Sequence, residues 1–392
     1  MNLKRAAACS PFVFPQMMME LKRAIQGEAR RLGFALMGVT TPEPPPHYAV
    51  FEDWIRAGRH AGMAYLAGER SRNRRADPRR LLPECKSILV LAAPYFPPIH
   101  DEDGAGRGRV TAYACGDDYH DVLPVRLKAL VDYIEAQAEI PVFNRYYTDT
   151  GPLLERDLAQ RAGLGWIGKN TCLINPGLGS YFFLAEILLG IELEPDQHFI
   201  ADRCGSCRRC IDACPTQCIL PDRTLDAGRC IAYLTIELKE ETPQNLRSHM
   251  GNWIFGCDVC QQVCPWNRFA PHEGDLAFSP RREVYSPDLI NELRMTVAEF
   301  NRKFKRSPIK RAKRRGYLRN VAVALGNTGE QMSIPALQDA LTNEMEPLVR
   351  RHAAWALGKI GGIESRRALD FALGKETQPQ VLAEIQDALK IV

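Results

Sequence analysis

The sequence predicts three regions of different fold class: an N-terminal domain that mixes strands and helices (α/β or α+β), a small cysteine-rich module, and a C-terminal stack of helical repeats. Three observations lead to this division. Strand and helix patterns alternate through the first 190 residues, nine cysteines fall between 204 and 264, and a 32-residue repeat occupies the C-terminal end. With 392 residues and 45% hydrophobic content, the chain is long enough for two or three domains.

The N-terminal domain is predicted over residues 20–195, because apolar residues there follow helix spacing and strand spacing in turn. The expected elements are helices at 20–32, 51–66 and 120–138, strands at 87–93 and 142–147, and a charged loop at 72–79. Such alternation favours helices packed on a sheet.

Residues 1–19 are predicted to be a disordered extension. Lys4 and Arg5 before a short apolar run faintly imitate a signal peptide, but Pro11 and Pro15 interrupt that run. No stretch reaches eighteen apolar residues, so no transmembrane helix is predicted. Thirteen cysteines without an export signal indicate the reducing cytoplasm, where we expect a monomer with no membrane partner.

The cysteine-rich module, predicted over residues 196–275, contains two runs of a pattern typical of ferredoxins. The runs are Cys204-Gly-Ser-Cys207-Arg-Arg-Cys210-Ile-Asp-Ala-Cys214-Pro215 and Cys257-Asp-Val-Cys260-Gln-Gln-Val-Cys264-Pro265. In a C-x2-C-x2-C-x3-C-P run, three thiolates bind one 4Fe-4S cluster and the fourth binds a neighbouring cluster. Two runs therefore predict a ferredoxin-like double 4Fe-4S module whose clusters exchange their last ligands.

The second run lacks its usual first cysteine, since residues 251–255 offer no thiol, and Cys230 is the nearest spare candidate. The predicted ligands are Cys204, Cys207, Cys210 and Cys264 for cluster one, and Cys214, Cys230, Cys257 and Cys260 for cluster two. Structural zinc is the alternative, because C-x2-C pairs also bind zinc, but zinc sites do not favour a triple run or Cys-Pro ends. Disulfides are not expected without a secretory context.

Two polar loops of the N-terminal domain carry candidate chemistry. One contains Cys115 just ahead of a helix, and the other contains Asp149 just after a strand. Asp149 is either a functional acid or the N-cap of a helix that starts near Pro152, and Cys115 fits a buried structural thiol. The glycines at 163–168 allow close backbone approach to a bulky ligand, but they form neither a dinucleotide fingerprint nor a P-loop.

The C-terminal region repeats itself. Arg319-Asn-Val-Ala-Val-Ala-Leu325-Gly326 recurs after 32 residues as Arg351-His-Ala-Ala-Trp-Ala-Leu357-Gly358, with a fainter copy that ends at Leu389. An apolar-faced helix preceded by a second helix is typical of HEAT-like repeats, which stack because one pair cannot bury its own face. Residues 319–392 are therefore predicted to be a docking surface without chemistry of its own.

The net charge of +4 is unevenly distributed along the chain. Residues 302–319, which we call the basic strip, contain ten Lys or Arg and no acid, so the rest of the chain carries about −6. The strip falls within a predicted linker at 276–318 and the start of the repeats. Clustered cations without acids suit a phosphate backbone; the alternative is a solvated charged helix.

These features, in this order, resemble the epoxyqueuosine reductases, cobalamin-dependent iron-sulfur enzymes that complete queuosine at the wobble position of tRNA anticodons. The resemblance covers residues 20–392. Besides the cysteine runs, strip and repeats, it rests on Arg75-x-Asp-Pro-Arg79, Tyr113-Ala-x-Gly116-x-Asp118-Tyr-His, Asp149-x-Gly-Pro-x-x-Glu-Arg156 and Gly168-Lys-Asn170.

The resemblance implies a base-off cobalamin between the N-terminal domain and the clusters, with Asp149 as the proton donor. It places near the corrin a set of residues: Arg75, Cys115, Asp149, Lys169, Asn170, Ser180, Cys257, Asp258, Val259 and Cys260. It further implies an external electron donor, such as a flavodoxin or ferredoxin system, that feeds the two 4Fe-4S clusters.

The implied reaction suits the chemistry of these residues. Removing an epoxide oxygen to leave an alkene takes two electrons and releases the oxygen as water, so the site needs a relay, a strong reductant and an acid. Burial beside an apolar corrin would keep Asp149 protonated. The predicted partner is a tRNA anticodon stem-loop with a GUN anticodon, contacted by Lys310, Arg311, Lys313, Arg314, Arg315 and Arg319.

Two other functions remain possible from the sequence. A reductive dehalogenase uses similar clusters and cobalamin on a small molecule, but such enzymes resemble exported proteins with twin-arginine signals. The other is a non-catalytic iron-sulfur protein that binds RNA or transfers electrons. A tightly bound corrinoid in the purified protein discriminates between these functions.

Overall fold

The computed structural model describes residues 13–97 and 106–392. Its first helix, α1, spans Val13–Arg31. The predicted disordered extension at 1–19 is therefore wrong for residues 13–19, which belong to this helix. Residues 1–12 lie outside the described residues. No helix within the described ranges has the length and apolar character needed to cross a membrane.

The N-terminal domain alternates helices and strands. After α1, its α-helices and strands are β1 Leu36–Thr40, α2 Tyr48–Arg56, α3 Ala64–Ala67, α4 Glu69–Ala76, β2 Ser87–Pro94, β3 Arg109–Val110, α5 Tyr119–Ala138, β4 Asn144–Tyr147, α6 Glu155–Arg161, β5 Trp166–Ile167, β6 Leu173–Ile174 and β7 Phe182–Leu189. Four of the strands form a sheet in the order β1-β2-β7-β4, with every neighbouring pair antiparallel.

Helices cover both faces of this sheet. On one face, α1 and α5 pack against alternate residues of β2 and β7, and on the other face α6 packs against the residues between them. The strands β2 and β7 are nearly continuous runs of apolar residues because both of their faces are buried. The predicted fold class is confirmed, and the antiparallel order makes this domain α+β rather than α/β.

Two local predictions in this domain are wrong. The expected helix at 51–66 ends at Arg56, because Gly58 adopts a left-handed backbone with φ of 67° and breaks the hydrogen-bond ladder. The expected charged loop at 72–79 is mostly the helix α4. Tertiary contacts stabilise this helix, since Arg72 pairs with Glu52 of α2 and the Arg75 guanidinium lies 5.7 Å from the ring centre of Phe51.

The cysteine-rich module has short elements joined by loops. Its α-helices and strand are α7 Arg209–Asp212, α8 Ile231–Ile236, α9 Gln244–Arg247, β8 Trp253–Phe255 and α10 Val259–Gln262. The helices α7 and α10 lie within the two cysteine runs and pack against each other. The strand β8 pairs in parallel with β3 and so joins the module to the N-terminal domain.

The C-terminal region is helical. Its α-helices are α11 Arg282–Tyr285, α12 Leu289–Leu293, α13 Val297–Lys303, α14 Lys313–Thr328, α15 Ile334–Asn343, α16 Pro347–Ile360, α17 Gly362–Leu373 and α18 Pro379–Ile391. The helices α14, α16 and α18 stack side by side. A Cβ atom on Gly326 would come within 2.9 Å of the Ala356 backbone, and one on Gly358 within 2.9 Å of the Ala388 backbone. The 32-residue repeat thus places glycine where each helix touches the next.

One hydrophobic core runs from the cysteine-rich module into the repeats. It contains Phe255 of β8, Val321 of α14 and Ile385 of α18. Asn320 of α14 donates hydrogen bonds to the carbonyls of Thr235 and Ile254, at 2.9 Å each. The repeats are therefore fixed to the module rather than tethered to it.

Candidate functional site

Asp149 lies in the loop between β4 and α6. Its backbone is left-handed, with φ of 53°, and its side chain is 67% exposed. The Tyr119 hydroxyl donates a hydrogen bond of 2.7 Å to Asp149 Oδ2, and His120 Nε2 lies 4.0 Å from the same oxygen. The carboxyl group is thus held by two residues at the start of α5 while remaining open to a ligand.

The alternative role of Asp149 as a helix N-cap is wrong. The helix α6 begins at Glu155 and its N-cap is Leu154. The backbone N–H of Asp149 instead donates a 2.7 Å hydrogen bond to Glu155 Oε1. The helix therefore stabilises the Asp149 loop, and not the reverse.

Several titratable groups surround Asp149. Burial, followed by the charge of Asp149, raises the pKa of Glu155 to about 8 and raises the pKa of Tyr119 far above its usual value. Burial also lowers the pKa of Arg75, which lies within electrostatic reach of Asp149 and Glu155. Arg75 is therefore placed beside Asp149.

The other residues expected near a corrin lie beside the cysteine-rich module. Asn170 Nδ2 is 3.4 Å from the carbonyl oxygen of Cys260, and Ser180 Oγ donates a 2.8 Å hydrogen bond to Gln261. Both side chains are buried. Tyr113 is within electrostatic reach of both Asp149 and Asp258, so it lies near both parts of the site.

Three of the expected residues use their side chains elsewhere. Lys169 Nζ donates to the carbonyls of Gly205 and Cys207, at 2.6 and 2.9 Å. Asp258 is buried and accepts a 2.7 Å hydrogen bond from the backbone N–H of Ala112. The buried Cys115 thiol contacts the Thr111 carbonyl at 3.3 Å, as a structural thiol does. Because the polar groups of these three side chains are occupied within the protein, we expect a neighbouring ligand to contact the backbone of these residues.

The eight predicted cluster ligands fall into two groups in space. In the first group, Cys210 and Cys264 are within electrostatic reach of Cys204, and Cys264 also of Cys207. In the second group, Cys230 and Cys257 are within reach of Cys214, and Cys260 is within reach of Cys230 and Cys257. Each group draws on both cysteine runs, as clusters with exchanged ligands require. Four thiols in each group fit one 4Fe-4S cluster in number and in chemistry.

Sequence reasoning missed two further thiols next to the second group. The sulfur of the buried Cys218 lies 3.5 Å from that of Cys214 and also contacts Cys230, and Cys172 contacts Cys260. The hydrogen bond from Cys218 lowers the pKa of Cys214 to about 5. The position of Cys218, four residues after Cys214, was the available signal, because a short turn brings such residues together.

Sequence reasoning also missed Trp166, a buried side chain of β5. Its Nε1 lies 3.5 Å from Cys204 Sγ, and its ring meets that of Trp266 edge to face, with ring centres 5.1 Å apart. Nothing in the local pattern of the sequence links these residues, because they come together only through the packing of the module on the N-terminal domain.

The basic strip is less uniform than its composition suggests. Four of its predicted phosphate contacts are exposed: Lys310, Arg311, Lys313 and Arg315. Arg311 pairs with Glu237 and lies within electrostatic reach of Asp149, so the strip adjoins the site. Arg314 is largely buried and makes two hydrogen bonds to Glu344, at 2.6 and 3.0 Å.

Arg319 is a correction to the predicted phosphate contacts. Its side chain is fully buried, and its guanidinium donates hydrogen bonds to the carbonyls of Leu234, Leu238 and Glu240, at 2.6, 2.9 and 2.6 Å. A phosphate cannot reach it, so Arg319 fixes α14 to the cysteine-rich module instead.

Three family models match parts of the chain. They are "Epoxyqueuosine reductase QueG, DUF1730" at residues 75–150, "4Fe-4S double cluster binding domain" at 203–267 and "HEAT repeats" at 312–390. The second match confirms the predicted iron-sulfur module, and the third confirms the predicted repeats.

Curated relatives match over most of their length. The epoxyqueuosine reductase of Xanthomonas campestris pv. campestris is 40% identical over 85% of this chain and 94% of the relative. That of Pseudomonas aeruginosa is 39% identical over 87% and 95%, and that of Escherichia coli K12 is 37% identical over 89% and 91%.

Solved structures of epoxyqueuosine reductases have the same fold. One, in complex with a tRNA-Tyr epoxyqueuosine-modified stem loop, gives a TM-score of 0.89 at 32% identity over 95% of this chain and 99% of that chain. Another, from Bacillus subtilis, has its catalytic aspartate loop swung out of the active site and gives a TM-score of 0.88 at 32% identity, over 96% and 100%.

Proposed function

The chain belongs to the epoxyqueuosine reductase family, and on this premise we propose that it reduces epoxyqueuosine to queuosine at the wobble position of tRNA anticodons. The observation that carries the proposal is the placement of Asp149. An exposed carboxyl group, held by Tyr119 and His120, lies within electrostatic reach of Arg311 in the basic strip and of Tyr113, which is itself within reach of Asp258 in the second cysteine run. An acid, an electron source and an RNA-binding surface thus meet at one place.

Asp149 is proposed to donate a proton to the epoxide oxygen as the ring opens. Opening the ring places negative charge on that oxygen, and a carboxylic acid within hydrogen-bond reach neutralises it. The hydrogen bond from Tyr119 and the short tether to Glu155 orient the group before the substrate arrives. This preorganisation is the contribution of the chain itself.

The residues around Asp149 fit a cobalamin. Asn170 and Ser180 offer buried polar groups on the side of the module, while Arg75 and Tyr113 line the side of Asp149. These residues would hold the corrin between the two parts of the site. When bound, the cobalamin supplies a strong reductant that the protein positions.

The two 4Fe-4S clusters are proposed to bind the two groups of thiols defined above. Cys264 of the first group lines an open cavity of about 860 Å³, together with Arg209, Arg268 and His272. An external electron donor of the flavodoxin or ferredoxin type would deliver electrons there, one at a time. The second group, which lies next to Asn170, would pass the electrons on toward the site around Asp149.

The exposed residues of the basic strip are proposed to bind the phosphates of the anticodon stem-loop. These are Lys310, Arg311, Lys313 and Arg315. Such contacts position the RNA without reading its sequence. Because Arg311 adjoins Asp149, a stem-loop bound here would present its unstacked wobble base to the site.

The proposal is tested with anaerobically purified protein that contains iron and corrinoid. Incubation with tRNA carrying epoxyqueuosine and a one-electron reductant should yield queuosine, detected by nucleoside mass spectrometry as the loss of one oxygen. Cys204→Ala should lose one cluster and all conversion, whereas Cys85→Ala, a buried thiol away from both groups, should keep both. A parent protein that retains its iron and corrinoid but leaves the epoxide unchanged would refute the function.

A further inference from the structure

Glu186 is a buried carboxyl group that the proposed function does not use. It lies in β7 with no exposed surface, and neither of its oxygens has a hydrogen-bond partner among the described residues. Its neighbours on the adjacent strands are Val90 of β2 and Tyr147 of β4. Tyr147 is the last residue of β4, two residues before Asp149.

The side chain of Glu186 faces α6. Side chains alternate along a strand, and Leu188, on the same face as Glu186, packs in one cluster with Leu158 of α6. Glu155, the first residue of α6, lies within electrostatic reach of Glu186 and accepts the hydrogen bond from the Asp149 backbone. The buried Glu186 is therefore within electrostatic reach of Glu155 and Asp149, and Glu155 also contacts the loop that carries the exposed Asp149.

The reaction needs more protons than Asp149 carries. Converting an epoxide to an alkene breaks two C–O bonds, forms two O–H bonds and forms one C=C bond. Two electrons and two protons enter, and one water leaves. The electrons come from the external one-electron donor through the clusters. Asp149 supplies the first proton and is left ionised, so a second proton must reach it before the oxygen departs as water.

We propose that Glu186 stores the second proton of the reaction and passes it through Glu155 to Asp149. The inference rests on the proposed function. Glu186 acts through Asp149 and does not touch the substrate, so its role is to supply and position a proton.

The surroundings of Glu186 favour a protonated carboxyl group. Burial raises its pKa well above the usual value, and the charges of Glu155 and Asp149 raise it further. Burial raises the pKa of Glu155 to about 8, although Arg75 and Arg156 oppose the shift. The remaining groups on α6 point elsewhere, since Asp157 pairs with His47 and Arg161 donates to the carbonyls of Thr41 and Glu43.

The first test is infrared spectroscopy of the holoenzyme without substrate, in H₂O and D₂O near neutral pH. The parent should show the carbonyl stretch of a protonated carboxylic acid, shifted by deuterium. Glu186→Gln should lose the Glu186 component of that band and keep the component of Glu155, which is also protonated near neutral pH. Glu192→Gln, an exposed glutamate just beyond the same strand, should keep both components. Spectra of the parent and Glu186→Gln that match in this region would overturn the proposal, whether or not the enzyme acts on epoxyqueuosine.

The second test is single-turnover conversion of epoxyqueuosine tRNA across pH. Glu186→Gln should slow conversion by about 10-fold, less than the roughly 100-fold or more typical of losing a direct general acid, and it should increase the solvent deuterium isotope effect. Its rate should also begin to fall at a lower pH than that of the parent, since each second proton must then come from water. An unchanged pH profile and isotope effect would contradict the proposal.

Iron and corrinoid contents separate this role from a binding role. Glu186→Gln should retain both at the level of the parent, and a loss of activity that follows a loss of corrinoid would overturn the proposal. Should Glu186→Gln fail to retain iron, Glu155→Gln interrupts the same path one step later, and a parent-like isotope effect in that variant would equally refute it.

Discussion

Where the helical repeats meet the cysteine-rich module, buried arginines have partners, whereas in the sheet domain Glu186 is buried with neither oxygen bonded. Arg247 and Glu384, for example, have side chains 1% and 2% exposed and lie 2.7 Å apart. Arg319 is satisfied by three carbonyls. A buried charge is costly unless it is paired, and an unpaired acid escapes the cost by staying protonated. Partnered charges therefore fix the repeats to the module, while the unpaired carboxyl group of Glu186 lies where we propose that protons move.

The largest effect is expected from breaking the Arg247–Glu384 pair. Glu384→Ala leaves the guanidinium buried without its partner, which should lower the free energy of unfolding by about 3–5 kcal/mol. The matched control on the same helix is Asp387→Ala, which removes an exposed partner of Lys390 at 2.7 Å and should cost less than about 1 kcal/mol. Urea unfolding measures both. Equal losses would contradict the claim that the buried pair between the module and the repeats is structural.

Asp149→Asn should have the opposite effect to Glu384→Ala, because it should lower activity strongly and leave stability nearly unchanged. Conversion should fall by at least about 100-fold, because the variant has no proton to donate. Since the side chain is 67% exposed, the free energy of unfolding should change by no more than about 0.5 kcal/mol. Single-turnover kinetics and urea unfolding of the same preparation test this contrast. A variant that converts the epoxide at the parent's rate would exclude Asp149 as the acid.

The raised pKa of Glu155 predicts how stability depends on pH. The folded state holds this proton up to about pH 8, whereas an unfolded glutamate releases it near its ordinary value of 4.5. Between these values the folded state binds more protons, so stability should fall as pH rises and then level off. In Glu155→Gln this component of the decline should disappear. Urea midpoints of parent and variant across the range measure it, and parallel curves would show that the pKa is not raised.

The smallest effect concerns the exposed part of the basic strip. Lys310→Glu with Lys313→Glu should reduce the salt dependence of tRNA binding by about 0.7 to 0.9 log units per decade for each lost contact. The control is Arg366→Glu with Arg367→Glu, an exposed pair on α17 in the repeats. Binding is measured over a salt series. If both double variants flatten the slope equally, the effect is one of net charge and not of the strip.

The sequence by itself determined the elements whose geometry depends on local spacing. The two cysteine runs predicted an iron-sulfur module because a ligand set with short spacers forms within a few turns of chain. The 32-residue repeat predicted HEAT-like pairs, and apolar periodicity predicted β2 and α5 to within one residue at each end. These predictions succeeded because each depends on residues that are neighbours along the chain.

Only the tertiary structure decided which residues share a surface. It gave the antiparallel order β1-β2-β7-β4, and it brought Glu186 of β7 beside the Asp149 loop. It also separated the exposed Lys310 from the buried Arg319, although both belong to one run of cations in the sequence. Burial depends on contacts between distant segments. A pattern of residue types along the chain therefore predicts which elements form, whereas whether a particular charge faces water, a partner or neither is decided by how those elements pack.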